Sequence, residues 1–312
     1  MRTTSPRASR SGQSWPDRPW VESEDLADHL ERIGADAETV DFATTLAATG
    51  VARIDLGEEA LALCDAAVRD TEFYFDRPGV QRVQDAWLRS PAVRRLAILP
   101  KVLRMLGQTY GRPAFAFQTL NFRRGTQQET HSDAIHFHSE PQRFMCGVWV
   151  ALEDIAPEAG PLAYRPGSHK LPVLTMRAAG VNHSRPKVED YIRTYVPALR
   201  ARLDAAELPT ETAVIKKGQA LVWAANLAHG GSPIAAPEST RRSLVTHYYF
   251  KGCTYYTPMT SDVEDGRLSV RLPMNLNTGL VSWPRRDGRR VAPRAGQIYK
   301  ALEKIVLRRV VT

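Results

Sequence analysis

The chain has 312 residues, 43% hydrophobic and 24% charged, with three cysteines and a formal net charge of +8. That composition suits a globular protein with a sizeable core, built as one large domain or two, and no apolar run approaches the roughly 18 residues of a membrane span. The charge excludes more than it suggests: residues 285–312 carry a net +7, residues 1–20 a net +3 and the body between them −2, and no basic face with interleaved aromatics is present to track a nucleic-acid strand.

In chain order, residues 1–22 are rich in Arg, Ser and Pro and are expected to form a disordered arm. They lack the apolar segment of a secretory signal. Cys64, Cys146 and Cys253 are odd in number and far apart, which argues against a disulfide framework and for a cytoplasmic location. From 23 to 111 the pattern is mostly helical. Ser23 is a candidate cap for ESEDLADHLERIG, in which Leu26, Leu30 and Ile33 share one face. A short strand is expected at VARIDL (51–56), then two or three helices broken near Pro78-Gly79 and Pro100.

After Pro113 the composition turns to strand and turn chemistry, with Val, Phe, Tyr and Trp between Gly, Pro and Asn. The segments are 114–122, 144–155, 161–167, 212–226 and 242–250, interrupted by a helical insertion at 188–208. Helices followed by strands predict an α+β or mainly β fold, with a double-sheet jelly-roll core over 112–257 backed by the N-terminal helices. Residues 258–312 form a C-terminal extension of the same single domain (23–312), ending in an amphipathic helix whose apolar stripe is expected to dock on the body. No internal repeat is visible.

Three of the eight histidines fall within HSDAIHFHSE. Two H-x-acid pairs are nested there, His131-x-Asp133 and His138-x-Glu140. In an extended chain residues i and i+2 point the same way, so either pair can aim an imidazole and a carboxylate at one metal. A distant histidine completes a 2-His-1-carboxylate face that leaves coordination positions open for cosubstrate and O₂. His229, at the end of the apolar LVWAANLAH, is the candidate. Taken alone, a three-residue pattern is weak, and His229 alone reads more readily as a hydrogen-bonded turn histidine than as a ligand. Downstream, Arg241 or Arg242 introduces a planar cation suited to bidentate capture of a carboxylate.

The order of these parts resembles the iron(II)/2-oxoglutarate-dependent oxygenases. The blocks HSDAIHF, GVWVALEDI, GPLAYRPGSHK and AHGGSP look like the phytanoyl-CoA dioxygenase family over about residues 112–257. The resemblance implies a double-stranded β-helix, iron(II), 2-oxoglutarate and a small-molecule substrate. It selects His131, Asp133 and His229 as metal ligands, because the family's metal pair lies some eighteen residues before the Trp of its W-x-A-L-(E/D)-D strand, here Trp149. It implies Arg241 with Ser232 as partners of the 2-oxoglutarate carboxylate, although the gap from His229 to Arg241 is twelve residues where about eleven is usual, so Arg242 competes. Gln118, Gln128 and Trp149 are further expected cosubstrate contacts; His136, His138 and Asn121 are expected near the substrate. His169 is in the family's turn motif and is expected to be structural. Relatives that halogenate have a small residue where this chain has Asp133, so hydroxylation or a related oxidation is expected. The rival readings are a catalytically silent metal-binding protein on this fold, a cupin-like metal enzyme that needs no Arg241, and a surface module carried by the basic tail.

Overall fold

The computed structural model describes residues 15–183 and 186–311. Most of the expected arm, residues 1–14, lies outside the described residues. Residues 15–22, expected to belong to it, are instead packed on the body. Trp20 stacks on His29 with centroids 4.6 Å apart, and Arg112 donates from Nε and Nη2 to the Pro16 carbonyl at 3.0 and 2.6 Å. Two tryptophans and a buried arginine give this short piece enough contact to offset its ordering cost.

The helices are α1 (Leu26–Arg32), α2 (Ala37–Thr49), α3 (Glu58–Thr71), α4 (Pro91–Ala97) and α5 (Pro100–Tyr110). Capping chemistry places several of their ends. Asp36 accepts from Thr39 N, Ser90 accepts from Val93 N, and Gly50 and Gly111 end α2 and α5 in the left-handed region. Ser23 is not the cap expected for α1. Asp25 holds that position, and Ser23 Oγ accepts from Asp25 N at 3.2 Å in a local turn.

The strands that build the site are β1 (Val51–Asp55), β2 (Val83–Gln84), β3 (Ala114–Phe122), β4 (His131–Ser132), β5 (His138–Glu140), β6 (Met145–Ala151), β7 (Leu162–Tyr164), β8 (Glu211–Thr212), β9 (Gln219–Ala224), β10 (Ala228–Gly231), β11 (Ser243–Phe250) and β12 (Thr254–Tyr256). Six of them form an antiparallel sheet in the order β1-β9-β6-β11-β3-β2, and four form a second in the order β4-β10-β7-β8. This is the expected jelly-roll core with helices behind it. The nominally helical N-terminal region contributes both edge strands of the larger sheet. The segment 212–226 is not one strand: a turn ending at Gly218, with φ +82°, separates β8 from β9.

Strand alternation sorts the core into two layers. Val148, Val150, Val222 and Leu244 face the helices, packing with Leu46, Leu63, Leu96 and Leu106. Trp149, Leu221, Trp223 and Val245 face the second sheet, packing with Leu162 and Tyr164. The insertion runs from Val188 to Ala205 as a helix with a π turn at Tyr191–Tyr195. Pro197 follows that turn and has no N–H for the regular i→i−4 bond, which accounts for the widened register. The C-terminal helix, Ala295–Val311, is docked through Ala301 and through Lys304, whose Nζ meets Asp85 Oδ2 at 2.5 Å, while Tyr299, Leu302 and Val306 remain exposed. No helix among the described residues is long and apolar enough to cross a membrane.

Candidate metal centre

His131 and His229 are direct cross-strand partners of β4 and β10, with ring centroids 4.5 Å apart. Asp133 opens a 3-10 turn immediately after β4. One ligand atom from each of the three residues lies within 4.8 Å of the others, and all three residues are buried. The imidazoles are oriented alike. His131 Nδ1 lies 2.9 Å from the Glu129 carbonyl and His229 Nδ1 lies 3.0 Å from the Leu227 carbonyl. A backbone acceptor fixes the proton on Nδ1, so each Nε2 presents a lone pair toward Asp133. The Nε2 to carboxylate distances are 3.8 Å for His131 and 3.9 Å for His229.

The two oxygens of Asp133 have different surroundings. Oδ2 accepts from Trp223 Nε1 at 2.8 Å and faces His247 Nε2 at 3.4 Å. Oδ1 is the oxygen turned toward His131. Burial opposes ionisation of Asp133, but the flanking imidazoles, His247 first, outweigh it and hold the carboxyl well below its usual range. Burial, and then the neighbouring His131, lower His229 to about 4, so its imidazole is neutral and free to ligate near pH 7. The donor set fits a six-coordinate metal held on one face by two imidazoles and one carboxylate.

Trp223 reaches Asp133 because Gly147 lies opposite it on β6. A Cβ at Gly147 would fall 2.2 Å from the indole. The paired glycines after His229 have a similar reason. A Cβ at Gly230 would meet the Gln128 carbonyl at 2.7 Å, and one at Gly231 would meet Gln127 N at 2.8 Å, so only glycine lets β10 lie this close to the segment leading into His131.

The triad lines a cavity of about 320 Å³. Gln118, Gln128, Trp149, His136 and Arg241 line it too. Gln128 Nε2 lies 3.3 Å from His131 Nε2. Burial lowers Arg241 to about 10, which leaves it charged at neutral pH. Its Nη1 donates to the Gly160 carbonyl at 3.1 Å, its Nε is buried without a partner, and its guanidinium lies over the rings of Trp149 and Phe122. Arg242 turns away and is held by Glu72 and Glu153, each at 2.9 Å. Ser232 Oγ is buried and unpartnered, yet Ser232 does not line the cavity.

Two expectations fail. Asn121 does not line the cavity, whereas Gln118, Leu120 and Phe122 do. Along a strand, odd and even positions face opposite sides, so 118 and 121 cannot share a face. His138 is equally absent from the lining. It packs edge-on against Tyr256, its cross-strand partner on β12, with ring centroids 5.5 Å apart. His169 serves the fold, as expected. Its ring sits against Gly50, and its Nε2 lies 3.1 Å from the Ala47 carbonyl near the end of α2.

Two residues at the site, Trp223 and His247, were not among those expected from the sequence. His247 bridges the site, with Nδ1 3.0 Å from Gln118 Oε1 and Nε2 facing Asp133. Its spacing on the strand after Arg241 was the available signal. Nothing local marks Trp223, because its role depends on a glycine on another strand.

A family model described as phytanoyl-CoA dioxygenase (PhyH) matches residues 26–243, about 70% of the chain. The chain belongs to the phytanoyl-CoA dioxygenase family. Solved structures similar to this family member include the non-haem α-ketoglutarate-dependent carbocyclase SnoK of nogalamycin biosynthesis, at 19% identity and TM-score 0.56 over 75% of this chain and 90% of that one. The epimerase SnoN in complex with Fe³⁺, α-ketoglutarate and nogalamycin RO is similar at 20% identity and TM-score 0.55, over 70% and 86%. EctD from S. alaskensis with 2-oxoglutarate and 5-hydroxyectoine is similar at 17% identity and TM-score 0.56, over 81% and 90%. At these identities the likeness establishes the shared fold. Among curated proteins, none matches the chain by sequence.

Proposed function

We propose that this phytanoyl-CoA dioxygenase family member is an iron(II)/2-oxoglutarate-dependent oxygenase of the hydroxylating kind, acting on a small molecule. The observation that carries the reading is the cross-strand pair His131 and His229 converging with Asp133. Similar structures of the same fold are complexes with Fe³⁺ and α-ketoglutarate or with 2-oxoglutarate, which supports the same cofactors here. Bound at this site, iron(II) and 2-oxoglutarate supply O₂-dependent oxidation of a substrate C–H bond, with release of succinate and CO₂.

The chain's own residues bind and orient. His131, Asp133 and His229 hold the metal. Trp223 fixes Asp133 through Oδ2 and leaves Oδ1 for ligation. Arg241 receives the distal carboxylate of 2-oxoglutarate: its orphaned buried Nε and its aromatic bed fit a planar diacid end. Gln118, Gln128 and Trp149 border that cosubstrate. His136, lowered to about 4 by burial and then by His131, is neutral beside the substrate. With Asp133 filling the third protein position, oxygen rather than halide is transferred.

The test is Fe(II)-dependent release of succinate from 2-oxoglutarate, read alongside the visible charge-transfer band of the anaerobic Fe(II)·2-oxoglutarate protein. The wild type is expected to show both and Asp133→Ala neither. Equal succinate release by the two proteins overturns the reading.

A further inference from the structure

The family match ends at Ser243, but the chain returns to the cavity beyond it with Thr257, Met259 and Arg271. Arg271 is half-buried. Its Nη1 donates to Thr257 Oγ1 at 3.0 Å, its Nε is buried without a partner, and its guanidinium lies 4.9 Å from the centre of the Phe137 ring. Arg123, Arg143, Arg177 and Arg242 each meet a carboxylate. Arg271 meets none among the described residues. A guanidinium drawn out of water without a counter-ion is costly, and the cost is recovered when an anion arrives.

Arg241 is in the same condition at the other end of the cavity. Arg241 lies over Phe122 and Arg271 over Phe117. Those two residues lie five positions apart on β3, with a bulge at Phe117, and belong to different core layers. A five-carbon diacid held at Arg241 therefore leaves Arg271 free. In the loaded site proposed above, iron(II), the Asp133 carboxylate, the 2-oxoglutarate dianion and Arg241 together carry no net charge. Arg271, with the exposed Arg82 also at the cavity, leaves the remaining space positive.

We infer that Arg271 is a specificity-determining residue that captures an oxyanion of the substrate, a carboxylate or a phosphate, with the apolar body of that molecule against Phe137 and Met259. Thr257 positions the guanidinium through its hydroxyl. This inference rests on the proposed assignment of the metal centre and of Arg241.

The experiment titrates anaerobic Fe(II)·2-oxoglutarate protein with benzoate, phenyl phosphate and benzamide, following heat by calorimetry and the charge-transfer band in parallel. One of the two anions is expected to bind and perturb the band, and the neutral amide is not. Arg271→Met is expected to weaken the anion by about tenfold or more, the scale of one charge-assisted hydrogen bond, with 2-oxoglutarate affinity unchanged. Arg271→Lys is expected to recover part of the loss. The stronger anion identifies the headgroup. The inference is overturned if neither anion binds the wild type, if Arg271→Met binds it equally well, or if Arg271→Met loses 2-oxoglutarate instead. Absence of the charge-transfer band in the wild type is a separate result and refutes the proposed function.

Discussion

Residues 131–133 and 138–140 carry the same H-x-acid pattern, seven positions apart, and have different fates. His131 pairs across the sheet with His229, and Asp133 turns in between them. His138 and Glu140 pair with Tyr256 and Thr254 of β12, and among the described residues no second histidine joins them in a metal-holding group. A metal pair is thus made by what lies on the neighbouring strand. Both histidines are buried, but Asp133 is buried where Glu140 is partly exposed, and only the first pair has a second histidine converging on it.

The largest expected contrast is between the two acids. Asp133→Ala abolishes iron binding, whereas Glu140→Ala leaves it within error in an equilibrium competition with a chelator. Loss of an outer partner of a metal ligand already costs roughly 10–100-fold, so loss of the ligand itself exceeds that. Comparable iron affinity in the two variants would erase the distinction. Next in size is the arginine pair. Arg241→Met raises the KM for 2-oxoglutarate up to roughly a hundredfold through lost charge-assisted hydrogen bonds. Arg242→Met leaves KM alone and costs about 1 kcal/mol of stability, the scale of a partly exposed ion-pair network.

The histidines differ in their pH response. Burial, and then Arg143, lower His138 to about 4 from an unfolded 6.5. Its folded pKa is depressed, so the unfolded chain takes up the proton first, and stability falls as pH drops from 6.5 toward 4. Between pH 7 and pH 5 that loss is about 2 kcal/mol. Urea unfolding of the metal-free protein should show His138→Gln losing less than the wild type by about that amount, and identical pH dependence would count against a neutral buried His138. The smallest effect belongs to Trp223→Phe, which keeps the packing and removes the indole donor. It should weaken iron by about tenfold without loss of 2-oxoglutarate affinity measured at saturating metal.

Features encoded by local chemistry and periodicity were readable in advance. Strand alternation and turn residues gave the jelly-roll core and most helices, and the H-x-D pair, the distant His229 and the arginine downstream were legible as a spaced set. Family resemblance was needed to choose His131 over His138. Other features were decided only by tertiary structure. Gly147 admits Trp223 because two strands distant in sequence lie side by side. Parity along β3 removed Asn121 from a cavity that Gln118 lines. Arg241 and Arg242 are adjacent in sequence but face opposite environments, an unpaired Nε over aromatic rings on one side and two glutamates on the other. Arg271 arrives from a segment with no motif at all. Side-chain pairing across strands and the desolvation of a charge are properties of the assembled sheet, and no window of sequence contains both partners.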